Sequence, residues 1–213
     1  MSESISLKEA ERRAFRSTFD DGLWDVFLGF FFLMFAFAPI LSVYLGDFWS
    51  SAVFLPVWIL VYLAILCIRK RIVKPRMGVA KYGRSRQVKM KRFTVIMLVI
   101  NTILFLLGLY AAANFRAMPG WTVAVVLGLM LLMGFSLSAY FLDFNRLYLY
   151  GLLAGFAPLV GEWLFLNKGA SHHGYPIVFG FMAVFMVVVG LVVFLRLLRE
   201  NPLPEEEISQ EEP

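Results

Sequence analysis

Apolar residues in this chain gather into six long runs, separated by short polar links and by one long basic link. The runs lie at about 23–45, 51–68, 93–113, 121–142, 147–166 and 177–197, and none is interrupted by a cluster of charges. A helix crossing a hydrocarbon layer ~30 Å thick needs about 20 such residues at a rise of ~1.5 Å each. The pattern therefore predicts an all-α, polytopic membrane bundle of six transmembrane helices. Apolar and polar positions do not alternate strictly, which argues against a membrane β-barrel.

The segments outside the runs add smaller elements. Residues 1–22 open with Ser6-Leu7-Lys8-Glu9, a capping box in which Ser6 and Glu9 satisfy each other's end of a helix start. Leu7, Ala10, Ala14, Phe15 and Phe19 then fall on one face beside Lys8, Arg12, Arg13 and Arg16, so this segment reads as an amphipathic helix lying in the membrane interface. Within the 69–92 link, Pro75 is expected to stop the second helix, because proline donates no backbone hydrogen bond. Met77–Tyr82 and Gln87–Met90 flank a Gly/Ser turn and predict a short β-hairpin. Residues 198–213 hold Glu205, Glu206, Glu207, Glu211 and Glu212, an acidic tail expected to be disordered.

Composition sharpens the class. Of 213 residues, 60% are hydrophobic and only 16% charged, with 22 Phe. A chain this short cannot hide such an excess inside a water-soluble globule. Secreted disulfide scaffolds, disordered regulators and ordinary soluble enzymes are excluded on that ground. The lone Cys67 has no disulfide partner in the chain and reads as a small buried hydrophobe.

Charge sets the direction of insertion. The N-terminal segment carries four basic residues, and the 69–92 link carries eleven: Arg69, Lys70, Arg71, Lys74, Arg76, Lys81, Arg84, Arg86, Lys89, Lys91 and Arg92. Arg146, Arg196 and Arg199 fall on the same side of a six-span topology, whereas Arg116 and Lys168 fall on the other. Basic residues are retained in the cytoplasm, so both termini are expected there and the protein in the cell (inner) membrane. The 69–92 link has no acidic residue, and each of its cations near the surface attracts anionic headgroups by about 1 kcal/mol. Anionic lipid is the expected partner. Nucleic acid is not, because aromatic residues are sparse among these charges.

Small and polar residues inside the runs mark packing faces. The fifth run places Gly151, Gly155, Pro158 and Glu162 on one face, and the first repeats the rhythm with Asp25, Gly29, Phe32, Ala36 and Pro39. Ala124 with Gly128, Gly134 with Ser138, and Gly180 with Gly190 extend the pattern. Small residues permit the close backbone approach that holds membrane helices together. Ionisable groups in such runs are costly, so Glu162, Asp25 and the amide Asn101 form a candidate intramembrane polar site. Arg116, Lys168 and His172-His173 are the expected partners of Glu162. Two adjacent histidines in an extended loop point opposite ways and do not complete a zinc site, so no metal and no cofactor is expected.

Phe19-Asp20-Asp21-Gly22-Leu23-Trp24-Asp25-Val26-Phe27-Leu28-Gly29 and Pro75-Arg76-Met77-Gly78-Val79-Ala80-Lys81-Tyr82-Gly83 resemble stretches of a family of prokaryotic multi-pass membrane proteins. The resemblance implies a bacterial or archaeal membrane location and carries no activity or site residue with it.

Recognised catalytic patterns are missing from the sequence, including nucleophile–His–Asp orders, HExxH and phosphate-binding glycine loops. The first expectation is thus a non-enzymatic scaffold, accessory or regulatory subunit, in a homo-oligomer or larger membrane complex, whose basic loop engages lipid or a partner. The alternatives are a small transporter or channel using Glu162 for a proton or cation, and an intramembrane enzyme built on Glu162, Asp25 or Asn101.

Overall fold

The computed structural model describes residues 19–77, 88, 91–100, 102–103, 106 and 120–202, and the described residues contain helices and no strand. In chain order these are α1 (Leu23–Ala52), α2 (Phe54–Ile68), a π-helical turn (Arg69–Val73), α3 (Lys74–Met77), a helical stretch at 91–100, α4 (Gly120–Leu142), α5 (Arg146–Lys168), a 3-10 turn (His172–Gly174) and α6 (Tyr175–Glu200). Five helical segments among the described residues are long and apolar enough to cross a membrane: Leu23–Gly46, Phe48–Arg76, Gly120–Leu142, Arg146–Lys168 and His172–Glu200. The expected third span is helical at 91–100 and otherwise falls largely outside the described residues. The interfacial helix before residue 19, most of the predicted hairpin and the acidic tail also lie outside them.

Two junctions differ from expectation. The first two spans are divided at Gly46, whose φ of 75° breaks α1, and the second span starts at Phe48 rather than at 51. Left-handed backbone is accessible to glycine without a Cβ clash, so one residue can end the helix. Pro75 does not stop the second span. The chain widens into the π turn at Arg69–Val73 and remains helical through Met77. An added residue per turn disrupts the ordinary ladder just where proline lacks its donor, so the helix passes through.

The chain divides into two compact units, Met1–Lys81 with Phe179–Pro213, and Tyr82–Val178. In the first, α1 and α2 run antiparallel: Phe31 stacks on Trp58 with centroids 5.0 Å apart, Phe27 meets Tyr62, and Leu23 joins Ile65 and Val73 in an apolar cluster. The other side of α1 packs against α6. A Cβ placed on Gly29 would lie 2.8 Å from the Ala183 carbonyl oxygen, Phe32 stacks on Phe179, and the Ala36 methyl faces Gly180. The predicted stripe is thus buried at Asp25, Gly29, Phe32 and Ala36, with Pro39 half-buried. Cys67 is exposed on α2, correcting its expected burial: the turn face of α2 that packs inward carries Val61, Ile65 and Ile68 instead.

In the second unit, α4 and α5 are an antiparallel pair joined by a short turn through Asp143, Phe144 and Asn145. Gly128 and Gly155 cross so closely that a Cβ on Gly128 would lie 2.3 Å from the Gly155 carbonyl oxygen. Gly151 admits the Cβ of Phe135 in the same way, and Ala124, Gly151, Gly155 and Pro158 are all buried. Gly134 and Ser138 do not join this seam. No atom of the described residues comes within 4 Å of a Cβ at Gly134, and the Ser138 hydroxyl donates to the Gly134 carbonyl of its own helix at 2.8 Å.

Candidate functional site

Two polar clusters stand out against this apolar background, one in each unit. The first lies where the chain enters α1. Gly22, with φ of 74°, caps the helix, and its neighbour Asp21 accepts the Leu23 backbone N–H at Oδ1, 3.1 Å away. The other oxygen of Asp21 accepts two bonds from the Arg69 guanidinium, one from Nε at 2.9 Å and one from Nη2. The Asp21 side chain is 1% exposed and that of Arg69 17%. Arg69 also lies over the Trp24 ring, 5.5 Å from its centroid, where the negative face of the indole attracts the cation. Asp25, one turn into α1, is fully buried.

Arg69 begins the π turn, and the turn sorts the cations that follow it. Val73 points into the apolar cluster with Leu23 and Ile65. Lys70, Arg71 and Lys74 are exposed. Arg76 is half-buried and donates from Nη1 to the Ile72 carbonyl at 3.2 Å. Lys91 and Arg92 are exposed at the start of the helical stretch 91–100 and line an apolar groove with Val88, Val95 and Ile96. Lys81, Arg84, Arg86 and Lys89 of the predicted set lie outside the described residues. Sequence reasoning did not single out Asp21 as a partner for Arg69. A signal existed: an Asp-Gly step before an apolar run marks a turn with a carboxylate, and Arg69 is the first cation after the second run.

The second cluster closes the C-terminal end of α5. Glu162 is buried on the Gly-Pro face, and its Oε2 lies 2.8 Å from Nδ1 of His173. Its Oε1 sits against Gly120, the first residue of α4, so closely that a Cβ there would be 2.2 Å away. A helix start is a favourable place for a carboxylate because unsatisfied N–H dipoles converge there. His173 was one of the expected partners; Asn101 and Arg116 lie outside the described residues and Lys168 ends α5. The histidines are not in an extended loop. His172 and His173 both adopt left-handed backbone, with φ of 51° and 53°, within the 3-10 turn. Left-handed non-glycine residues cost about 1–3 kcal/mol each, so surrounding contacts must hold them. The His173 ring lies 4.5 Å from the Phe165 ring and 6.0 Å from that of Tyr175. The turn is also seated on α5, because a Cβ at Gly174 would be 2.5 Å from the Gly161 carbonyl oxygen. No group of three or more metal-ligating side chains occurs among the described residues.

Among the described residues, then, five helices long and apolar enough to cross a membrane carry two buried carboxylate sites, which is the make-up expected of a multi-pass membrane protein. Comparison with protein families, with known proteins and with solved structures finds no match.

Proposed function

We propose that this protein is a non-enzymatic membrane scaffold, accessory or regulatory subunit whose basic segment after α2 binds anionic lipid headgroups on the cytoplasmic side. One observation carries the reading. Arg69 is committed inward to Asp21, while Lys70, Arg71 and Lys74 are exposed where a long apolar helix ends. On this reading the inward pair anchors the turn and the exposed cations meet the headgroup phosphates. Lys91 and Arg92 add two more exposed charges at the far end of the link.

Replacing Lys70, Arg71, Lys74, Lys91 and Arg92 together by Gln tests this directly. Native mass spectrometry of the purified protein, titrated with phosphatidylglycerol and separately with phosphatidylcholine, is expected to show anionic-lipid affinity falling at least ~10-fold, with phosphatidylcholine unaffected. At about 1 kcal/mol per cation that loss is a conservative figure. The wild-type preference should also weaken as salt rises. Equal retention of phosphatidylglycerol by the variant would remove the proposal.

The transporter reading takes support from the buried Glu162 on the Gly-Pro face of α5. Its contacts with His173 and Gly120 favour an anchoring role instead. In proteoliposomes, Glu162→Gln is therefore expected to leave proton and cation flux at the background of empty vesicles, as in the wild type. A wild-type flux that this variant abolishes would reverse the order of the two readings.

A further inference from the structure

We propose that the groove at the start of the helical stretch 91–100 holds one anionic phospholipid, its phosphate at Lys91 and Arg92 and an acyl chain laid along Val95, Val99, Ile103 and Leu106. The site rests on the lipid-binding role proposed for the basic link and gives that role a tail as well as a headgroup. Residues four apart lie one above another on a helix, so Val95 follows Lys91 and Ile96 follows Arg92 about 6 Å further along the axis. All four border the same groove of about 340 Å³, together with Val88. Its wall is carbon throughout, so the two basic residues contribute their hydrocarbon stems and leave their charged ends outside it. Cations beside an apolar trough complement an amphipathic anion. A free phosphate or a neutral hydrocarbon would use only one half of such a surface.

The apolar track continues beyond the groove. Val95, Val99, Ile103 and Leu106 recur at intervals of four, four and three, which keeps them on one helical face, and all are exposed. From Val95 to Leu106 the helix advances ~17 Å at ~1.5 Å per residue, close to the ~15 Å of a single leaflet's hydrocarbon. The track thus has the length of one acyl chain. Thr102 donates its hydroxyl to the Leu98 carbonyl of its own helix at 2.9 Å and so presents no free donor to the chain. Another side of the stretch is engaged by α4, where the Phe93 and Phe141 rings lie 5.4 Å apart, and this contact holds the track outward.

Photolabelling tests the site, using the full-length protein in nanodiscs that contain phosphatidylglycerol with a diazirine on its acyl chain. Labelled peptides, identified by mass spectrometry, are expected to concentrate at 95–106. Added unlabelled phosphatidylglycerol should compete for them, and added phosphatidylcholine should not. Lys91→Gln/Arg92→Gln removes two exposed charges and should lower this labelling at least ~10-fold. Ile96→Trp, which fills the groove from a partly exposed position, should lower it as well. Competition by phosphatidylcholine equal to that by phosphatidylglycerol would mark the track as ordinary lipid contact and refute the site. So would a dimer whose formation removes the labelling, since the groove would then belong to a second copy. If the five-Gln variant keeps phosphatidylglycerol, the headgroup role falls and the groove with it. If that variant loses the lipid but wild-type labelling at 95–106 is no stronger than at 54–68, the headgroup role stands and the groove alone is refuted.

Discussion

Arg69→Met is expected to destabilise the protein by about 3–5 kcal/mol, the range observed when one member of a buried ion pair is removed. The cost arises mostly from what remains. Asp21 is 1% exposed, and without the guanidinium one of its oxygens loses both bonds from Arg69. The loss of the cation over Trp24 adds to it. Asp21→Asn should be less damaging, because a neutral amide is cheaper to bury than an unpaired carboxylate. The combined Asp21→Asn/Arg69→Met variant should be more stable than Arg69→Met alone. A double-mutant cycle, read from unfolding midpoints in mixed micelles, isolates this coupling. Additive effects across the cycle would mean that the pair does not hold the α1 entry to the turn after α2.

The second large effect is expected from Gly190→Val. A Cβ at this position would lie 2.6 Å from the Gly22 carbonyl oxygen and 2.8 Å from the Val26 backbone nitrogen. The Val26 Cγ2 methyl, also 2.8 Å away, could turn aside, but the Gly22 carbonyl and the Val26 N–H are backbone of α1 and could not. Forcing added carbons into a packed interface costs about 1–3 kcal/mol, and a branched residue between two backbones belongs at the upper end. Gly134→Val is the matched control, since nothing among the described residues approaches a Cβ there. The expected result is a thermal midpoint clearly lowered by Gly190→Val and little changed by Gly134→Val. Equal behaviour of the two would show that α1 and α6 do not meet through this seam.

The contrast between those glycines indicates what could be learned from the sequence. Spacing of four and three residues located the buried faces of α1 and α5, because lipid supplies no hydrophobic drive and only small residues admit close backbones. At Gly134 and Ser138 the same spacing has no partner among the described residues, and serine there bonds its own helix. Glu162 was legible as a buried carboxylate, and His173 as one of its expected partners, because the two approach the same end of α5. The turn that joins them was not, since two left-handed histidines have no local propensity and are held by Gly161, Phe165 and Tyr175. Pro75 misled for a related reason. Its local rule is to end an ordinary helix, and the π turn ahead of it changes the ladder to which the rule applies.

That widened turn has a further consequence for how the segment tolerates change in length. A π turn amounts to one extra residue in an α-helical ladder, worth about 100° of angular phase at 3.6 residues per turn. Deleting a single residue between 69 and 73 would restore regular helix and leave everything beyond it close to its present azimuth, so Lys74 would keep its direction while the wide turn was lost. This five-residue stretch can therefore give up one residue without turning the charges beyond it, whereas the same deletion in a regular helix would swing them by about 100°.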